Sequence, residues 1–221
     1  MNFITATVDI VSHSDELVTT YGEHAQASAV IPGNGSQAQV KLRLLCHNGG
    51  TMKLTTFKGL QPGKRVLITG DIVFANKDTS SPLDVIITTL EPTVPEGMYQ
   101  NQVVLGNAFF TAGKDEIKEQ KSGNYSVNIA TSLDNSDNVT YLKMELDPSR
   151  KPKLESRIRK GRQLCVLGSI REFRDGDFLY RAIVASNFTN RKDYDGKKQK
   201  QPANTGTAAG YAEQDPLTDY E

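Results

Sequence analysis

The sequence predicts an all-β protein made of two similar halves followed by a tail. Apolar residues alternate with polar ones through five segments in each half, which is the periodicity of half-buried strands. The segment GKRVLITG at 63–70 returns as GRQLCVLG at 161–168, 98 residues later. NFITATV, which starts at Asn2, has a similar partner in NQVVLGN, which starts at Asn101. Landmarks at one offset indicate a duplicated unit of roughly 95 residues.

Each half contains five predicted strands in the same order. The first half reads FITATVDIV, AQASAVI, QVKLRLL, KRVLITGDIVF and LDVIITTLEP. The second half reads NQVVLGNAFF, YSVNIATSL, NVTYLKMELD, RQLCVLGSIREF and FLYRAIVASNF. Segments rich in Gly, Pro, Asn, Asp and Ser separate them and predict turns, namely PGNGS at 32–36, NKDTSSP at 76–82, DNSDN at 134–138 and RDGD at 174–177.

A helix is predicted between the third and fourth strands of the second half. In PSRKPKLESRIRKG, Leu154 and Ile158 have i, i+4 spacing and Gly161 supplies a stop signal. The corresponding segment of the first half, GGTMKLTTFKGLQPG, favours a turn or a single helical turn. Three strands, a helix and two strands form the order of the OB-fold, a five-stranded Greek-key barrel. A β-sandwich would need about seven strands and would leave the helix unexplained.

The sequence divides into two predicted OB-fold domains and a tail. The domains are expected at 1–95 and 98–190, joined near PTVPEG at 92–97. Residues 191–221 contain almost no aliphatic side chains, so a disordered tail is expected there. Its charge is split, because 191–200 carry five basic and two acidic groups and 201–221 carry four acidic and no basic groups.

Composition excludes several functional classes. The 26 basic and 26 acidic residues cancel, which excludes a generally basic surface but leaves room for a local basic face. No apolar run reaches the roughly 18 residues of a membrane helix, and the amino terminus does not resemble a signal peptide. Cys46 and Cys165 lie in apolar stretches and are expected to be buried, with a single disulfide as the alternative. An intracellular protein of the cytoplasm is therefore expected.

No pattern of a catalytic or metal site is present. His13, His24 and His47 lack metal-ligand spacing, and the sequence contains no CxxC, HExxH or GxSxG motif and no phosphate-binding glycine loop. We therefore expect a protein that is not an enzyme and that uses no cofactor or metal.

Strand alternation places aromatic and basic side chains together on the outside of the second barrel. If Leu142, Met144 and Leu146 point inward, then Tyr141, Lys143 and Glu145 point outward. The same rule turns Arg171 and Phe173 outward, whereas the direction of Tyr180 is ambiguous. In the first half it turns Lys41 and Arg43 outward. Aromatic rings stack on bases and cations pair with phosphates, so this pattern is typical of single-stranded nucleic-acid binding.

The second half resembles the bacterial-type single-stranded DNA-binding proteins over about 90 residues. The similar stretches are YSVNIATS, TYLKMEL and KLESRIRKGRQLCVLGSIREFRDGDFLYRAIV. The resemblance implies that Tyr141 and Phe173 occupy the family's base-stacking positions. It also implies a homodimer that supplies four barrels. The chain departs from the family in having no tryptophan, and its acidic end DPLTDYE lacks the family's closing Pro-Phe.

These observations predict a single-stranded DNA-binding protein of replication, recombination and repair. An RNA-binding OB-fold protein and an assembly scaffold without nucleic-acid binding are the alternatives. The candidate nucleic-acid-binding residues are Tyr141, Lys143, Arg171, Phe173, Arg174, Tyr180, Arg181, Lys41 and Arg43. Replication and repair proteins are the candidate partners of the tail, through Asp215, Pro216, Leu217, Asp219 and Tyr220.

Overall fold

A computed structural model describes most of the chain. The described residues are 2–20, 22–33, 38–47, 54–74, 80–132, 139–175 and 178–190. The predicted tail therefore lies outside the described residues, as do DNSDN and parts of the other three predicted turns.

The first half contains five strands and a short helix, in the predicted order. They are β1 (Asn2–Val18), β2 (His24–Ile31), β3 (Val40–His47), α1 (Leu54–Lys58), β4 (Arg65–Phe74) and β5 (Leu83–Glu91). The first strand is longer than predicted because its end, near Val18, pairs with His24 of β2.

The second half repeats this order with one extra short strand. Its elements are β6 (Asn101–Phe110), β7 (Lys118–Glu119), β8 (Tyr125–Ser132), β9 (Val139–Leu146), α2 (Lys151–Arg157), β10 (Gln163–Asp175) and β11 (Phe178–Asn190). Two 3₁₀ turns, Lys114–Glu116 and Pro148–Arg150, precede β7 and α2. The helix predicted from Leu154 is confirmed, whereas β7 had no signal in the sequence.

Hydrogen bonding closes the five main strands of each half into a circuit. The first circuit runs β1-β2-β3-β5-β4 and back to β1, and the second runs β6-β8-β9-β11-β10 and back to β6. The β3–β5 and β9–β11 pairs are parallel and the other pairs are antiparallel. This is the Greek-key closure of an OB-fold, so the predicted all-β fold is confirmed. We call β1–β5 the first barrel and β6–β11 the second barrel.

The repeated glycines of the two motifs have the same structural roles in both barrels. Gly63 and Gly161 have φ of 80° and 79°, in the left-handed region that favours glycine. Gly70 and Gly168 lie at irregularities in the β4–β5 and β10–β11 pairing. A Cβ atom there would lie 2.5 Å from the Ile86 carbonyl oxygen or 2.3 Å from the Val184 carbonyl oxygen. The motif repeats because both barrels need the turn and the bulge.

The buried core follows the predicted strand alternation. Leu42 and Leu142 are among the inward residues, and both are buried. Phe57 and Phe110 are fully buried, and Phe109 is half-buried. Neither cysteine forms a disulfide; Cys46 is buried, but Cys165 is only half-buried, so full burial was wrong for it.

The two barrels are joined by strand pairing. β1 and β6 are antiparallel, with register from Asn2 opposite Leu105 to Ala6 opposite Asn101. The side-chain amide nitrogen of Asn2 also donates to the Ser132 backbone carbonyl at 2.8 Å. Among the described residues, neither helix has the length and apolar character needed to span a membrane.

Candidate nucleic-acid interface

Aromatic and basic side chains of three strands meet on the outside of the second barrel. We call this group the aromatic face. Its members are Tyr141, Lys143 and Glu145 of β9, Arg171 and Phe173 of β10, and Tyr180 of β11. The sequence predicted five of them from strand alternation, and the structure resolves the ambiguous direction of Tyr180 by placing it beside Phe173.

Phe173 and Tyr180 form a stacked pair across the β10–β11 hairpin. They are directly opposite in the strand register. Their ring centroids are 5.6 Å apart and their planes differ by 24°. The Lys143 Nζ atom lies 3.8 Å from the centroid of the Tyr180 ring, which is a cation–π contact. The pair thus presents half-buried rings with an ammonium group on one of them.

Tyr141 presents an open ring on the same strand as Lys143. Its side chain is 55% exposed, which makes it a large apolar surface without cover. Because it lies two residues before Lys143 in β9, it points to the same side of the strand. An exposed ring at this position is available to stack on a flat ligand.

Glu145 is outward-facing, as predicted, yet it is buried among its neighbours. The Tyr180 hydroxyl donates a hydrogen bond of 3.0 Å to its carboxylate, which is 2% exposed. Burial raises the pKa of Glu145, and the Tyr180 hydrogen bond and the charges of Lys143 and Arg171 oppose that rise. The Glu145 carboxylate therefore accepts a hydrogen bond from Tyr180 and interacts with the positive charges of Lys143 and Arg171.

Arg181 does not lie on the aromatic face, and this corrects the prediction that it meets a ligand from there. Its guanidinium is fully buried and forms an ion pair of 2.8 Å with Glu172, which is 2% exposed. It also donates to the carbonyl of Ser81, in the first barrel, at 3.1 Å. The reason is register, because Arg181 is the residue after Tyr180 and points to the opposite side of the hairpin.

Two further predicted residues of this hairpin are Arg171 and Arg174. Arg171 is half-buried, and its Nε donates to the Ser169 hydroxyl at 3.3 Å. Arg174 is within β10, but its side chain lies outside the described part of the structure. The buried Glu172–Arg181 pair was missed by sequence reasoning. Its signal was present only in part, since the two opposite charges lie on either side of the predicted RDGD turn, two residues before it and four residues after it.

The predicted first-barrel residues, Lys41 and Arg43, both point outward as expected. Lys41 is exposed. Arg43 is half-buried and makes a bidentate ion pair with Asp84 of β5, whose side chain is 1% exposed. One of these two outward cations is therefore committed to a buried carboxylate.

No metal site is evident among the described residues. They contain no group of three or more His, Cys, Asp or Glu side chains arranged to hold a metal ion.

Comparison with known proteins identifies relatives only through the fold. No family model and no curated protein sequence matches the chain. The single-stranded DNA binding protein from Thermus aquaticus is similar in structure, with a TM-score of 0.54 and 17% identity over 95% of this chain and 97% of that chain. A deletion mutant of the same protein gives a TM-score of 0.59 and 15% identity over 90% of this chain and 98% of that chain. The likeness spans both barrels and is a likeness of fold.

Proposed function

We propose that the chain is a sequence-tolerant single-stranded DNA-binding protein. One observation carries the proposal: the exposed Tyr141 ring and the stacked Phe173–Tyr180 pair share an OB-fold face with Lys143. The structural neighbour of similar fold, seen in wild-type and deletion-mutant forms, is a single-stranded DNA binding protein, which agrees with the proposal.

In the proposed mechanism, bases stack on the rings and cations neutralise the backbone. Tyr141 and Phe173 each stabilise a base by about 1–3 kcal/mol through stacking, which tolerates every base. Lys143, Arg171 and Arg174 pair with phosphates, and counterion release makes the affinity fall as salt rises. Binding of this kind is passive. It covers the strand and removes hairpins, as replication, recombination and repair require.

Fluorescence anisotropy tests this function. Labelled oligo-dT, a duplex of the same length and single-stranded RNA are titrated with the full chain at low and high salt. We expect tight binding to oligo-dT that far exceeds duplex binding and weakens with salt. Stronger binding to RNA would identify RNA as the ligand. No binding to any of the three would favour a role in protein assembly.

We also propose that the chain forms a homodimer in the cytoplasm, at the nucleoid, so that one assembly offers four barrels. The dimer is what the family resemblance implies, since two chains with two barrels each supply four barrels. Sedimentation equilibrium of the full chain should return twice the 24.3 kDa chain mass. A monomer mass at all concentrations would defeat it.

A further proposal concerns the acidic end of the tail. The segment DPLTDYE carries negative charge and Tyr220, and we propose that it recruits replication and repair proteins. A pull-down should capture such proteins with the full chain and lose them with a truncation after Asn190. Capture of the same proteins by both forms would defeat the recruitment role.

A further inference from the structure

The end of the β10–β11 hairpin has two different sides. We call the paired residues Arg171–Phe173 and Tyr180–Ala182 the stacking hairpin. Phe173 is opposite Tyr180 and Glu172 is opposite Arg181 in the register. Because successive side chains of a strand alternate, the aromatic pair and the ion pair occupy opposite sides. The side with the aromatic pair belongs to the aromatic face, and the side with the ion pair is buried.

The buried side rests on the first barrel. The Arg181 guanidinium donates to the carbonyl of Ser81, two residues before β5 begins. Glu172 forms an isolated β-bridge with Ala38, two residues before β3 begins. The second barrel's hairpin is therefore held by the ends of two loops of the first barrel.

The ion pair gives this contact a defined position. Both charged groups are removed from water, at 0% and 2% exposure, and Arg181 donates to the Glu172 Oε1 from both Nε (3.3 Å) and Nη2 (2.8 Å). A buried charge is tolerated only when it stays paired. Movement of the hairpin away from the first barrel would break the Arg181 hydrogen bond to Ser81 and the Glu172–Ala38 bridge, so these two contacts oppose such movement.

We infer that Arg181 and Glu172 are positioning residues by which the first barrel holds the stacking hairpin in its binding geometry. The inference rests on the proposed function, because the position of the hairpin affects binding only if Phe173 and Tyr180 stack on the bases of a DNA strand. It assigns the first barrel a role in binding that does not require it to touch the ligand.

Amide hydrogen exchange tests the contact itself, without any ligand. The pair variant Glu172→Met with Arg181→Met keeps the volume and the burial but removes the charges and the donor to Ser81. We expect faster exchange around Phe173 and Tyr180 in this variant. A control variant, Asp9→Ala with Arg65→Ala, removes an ion pair of the first barrel that is more exposed and should leave that exchange unchanged. Unchanged exchange in the pair variant would overturn the inference.

A double-mutant cycle on oligo-dT affinity tests the positioning role. The pair variant should bind about 2- to 30-fold more weakly than the wild type, the range expected for indirect coupling. In a Phe173→Ala background the same change should cost much less, because the ring it positions is gone. Equal losses in both backgrounds would show general destabilisation and overturn the positioning role.

Two further results separate this inference from the proposed function. If the pair variant does not fold, Arg181→Lys keeps the charge opposite Glu172 but replaces the guanidinium that donates to Ser81. It should show faster exchange around Phe173 and Tyr180 than the wild type, and unchanged exchange would overturn the inference. If the wild type does not bind oligo-dT, the proposed function and the positioning role both fail. The exchange experiment then still decides whether the first barrel holds the hairpin.

Discussion

The two barrels share one framework and differ on the same outer face. In the first barrel Val85 is paired with both Leu44 and Ile72, and in the second Ile183 is paired with both Met144 and Ile170. These registers align β3 with β9 at an offset of 100 residues and β4–β5 with β10–β11 at an offset of 98. In this alignment Lys41 corresponds to Tyr141, Leu45 corresponds to Glu145 and Pro82 corresponds to Tyr180.

The difference shows that the core and the face of this fold can change separately. Inward positions stay apolar in both barrels because a barrel of this size is filled by its own side chains. Outward positions are free of that requirement, and at the aligned positions the second barrel has Tyr141 and Tyr180 where the first has Lys41 and Pro82. At the position aligned with Arg181 the first barrel has Leu83, so it lacks a counterpart of the Glu172–Arg181 ion pair.

The largest expected effect comes from removing two rings of the aromatic face. Tyr141→Ala with Phe173→Ala should weaken oligo-dT binding by about 2–6 kcal/mol, since each stacking contact contributes about 1–3 kcal/mol. Titration by fluorescence anisotropy measures it. The control is Tyr99→Ala, which removes an exposed tyrosine outside the aromatic face, 50% exposed, and should leave affinity unchanged. Equal affinity of the double variant would remove the second barrel's rings from the interface.

The next largest effect is a loss of fold stability, which should be equal in the two barrels. Gly70→Ala and Gly168→Ala should each destabilise the fold by about 1–3 kcal/mol, the usual effect of an overpacked site. Each new Cβ would meet a backbone carbonyl oxygen. Urea denaturation measures it, with Gly113→Ala as the control because nothing lies within 4 Å of that position. An unchanged midpoint for one glycine variant only would mean that the two bulges are not equivalent.

A pH effect on stability is expected from Glu145 of the second barrel. Because burial raises the pKa of Glu145 in the folded state, folding favours its protonated form. Stability should therefore rise as pH falls from above this raised pKa toward the carboxyl's ordinary value. Glu145→Gln should flatten that part of the profile and increase stability at neutral pH, while its amide oxygen still accepts from Tyr180. Urea midpoints across this pH range test it, and an identical profile for both proteins would contradict it.

The smallest effect concerns single outward cations, one on each barrel. Lys143→Ala should reduce the salt slope of log affinity by about 0.7, the value for one phosphate of a single strand. Lys41→Ala, next to Arg43 on the first barrel, should reduce it less. Affinities at several salt concentrations give both slopes. Equal reductions would show that the strand contacts the first barrel as well as the second.

The sequence by itself determined the duplication, the ten main strands and the two faces of each strand. It could do so because alternation and turn residues are local, and because GKRVLITG and GRQLCVLG repeat a turn and a bulge that any copy of this barrel needs. The parity argument therefore placed Tyr141, Lys143, Arg171 and Phe173 correctly on the outside.

Only the tertiary structure decided which outward residues stay accessible. Alternation states which side of a strand a residue faces, but it does not state what covers that side. Glu145 faces outward and is buried by its neighbours. Arg181 lies on the other side of the hairpin, where it is enclosed between Glu172 and the first barrel at Ser81. Ser81 and Arg181 are 100 positions apart, and a contact over that distance depends on how the two barrels pack together.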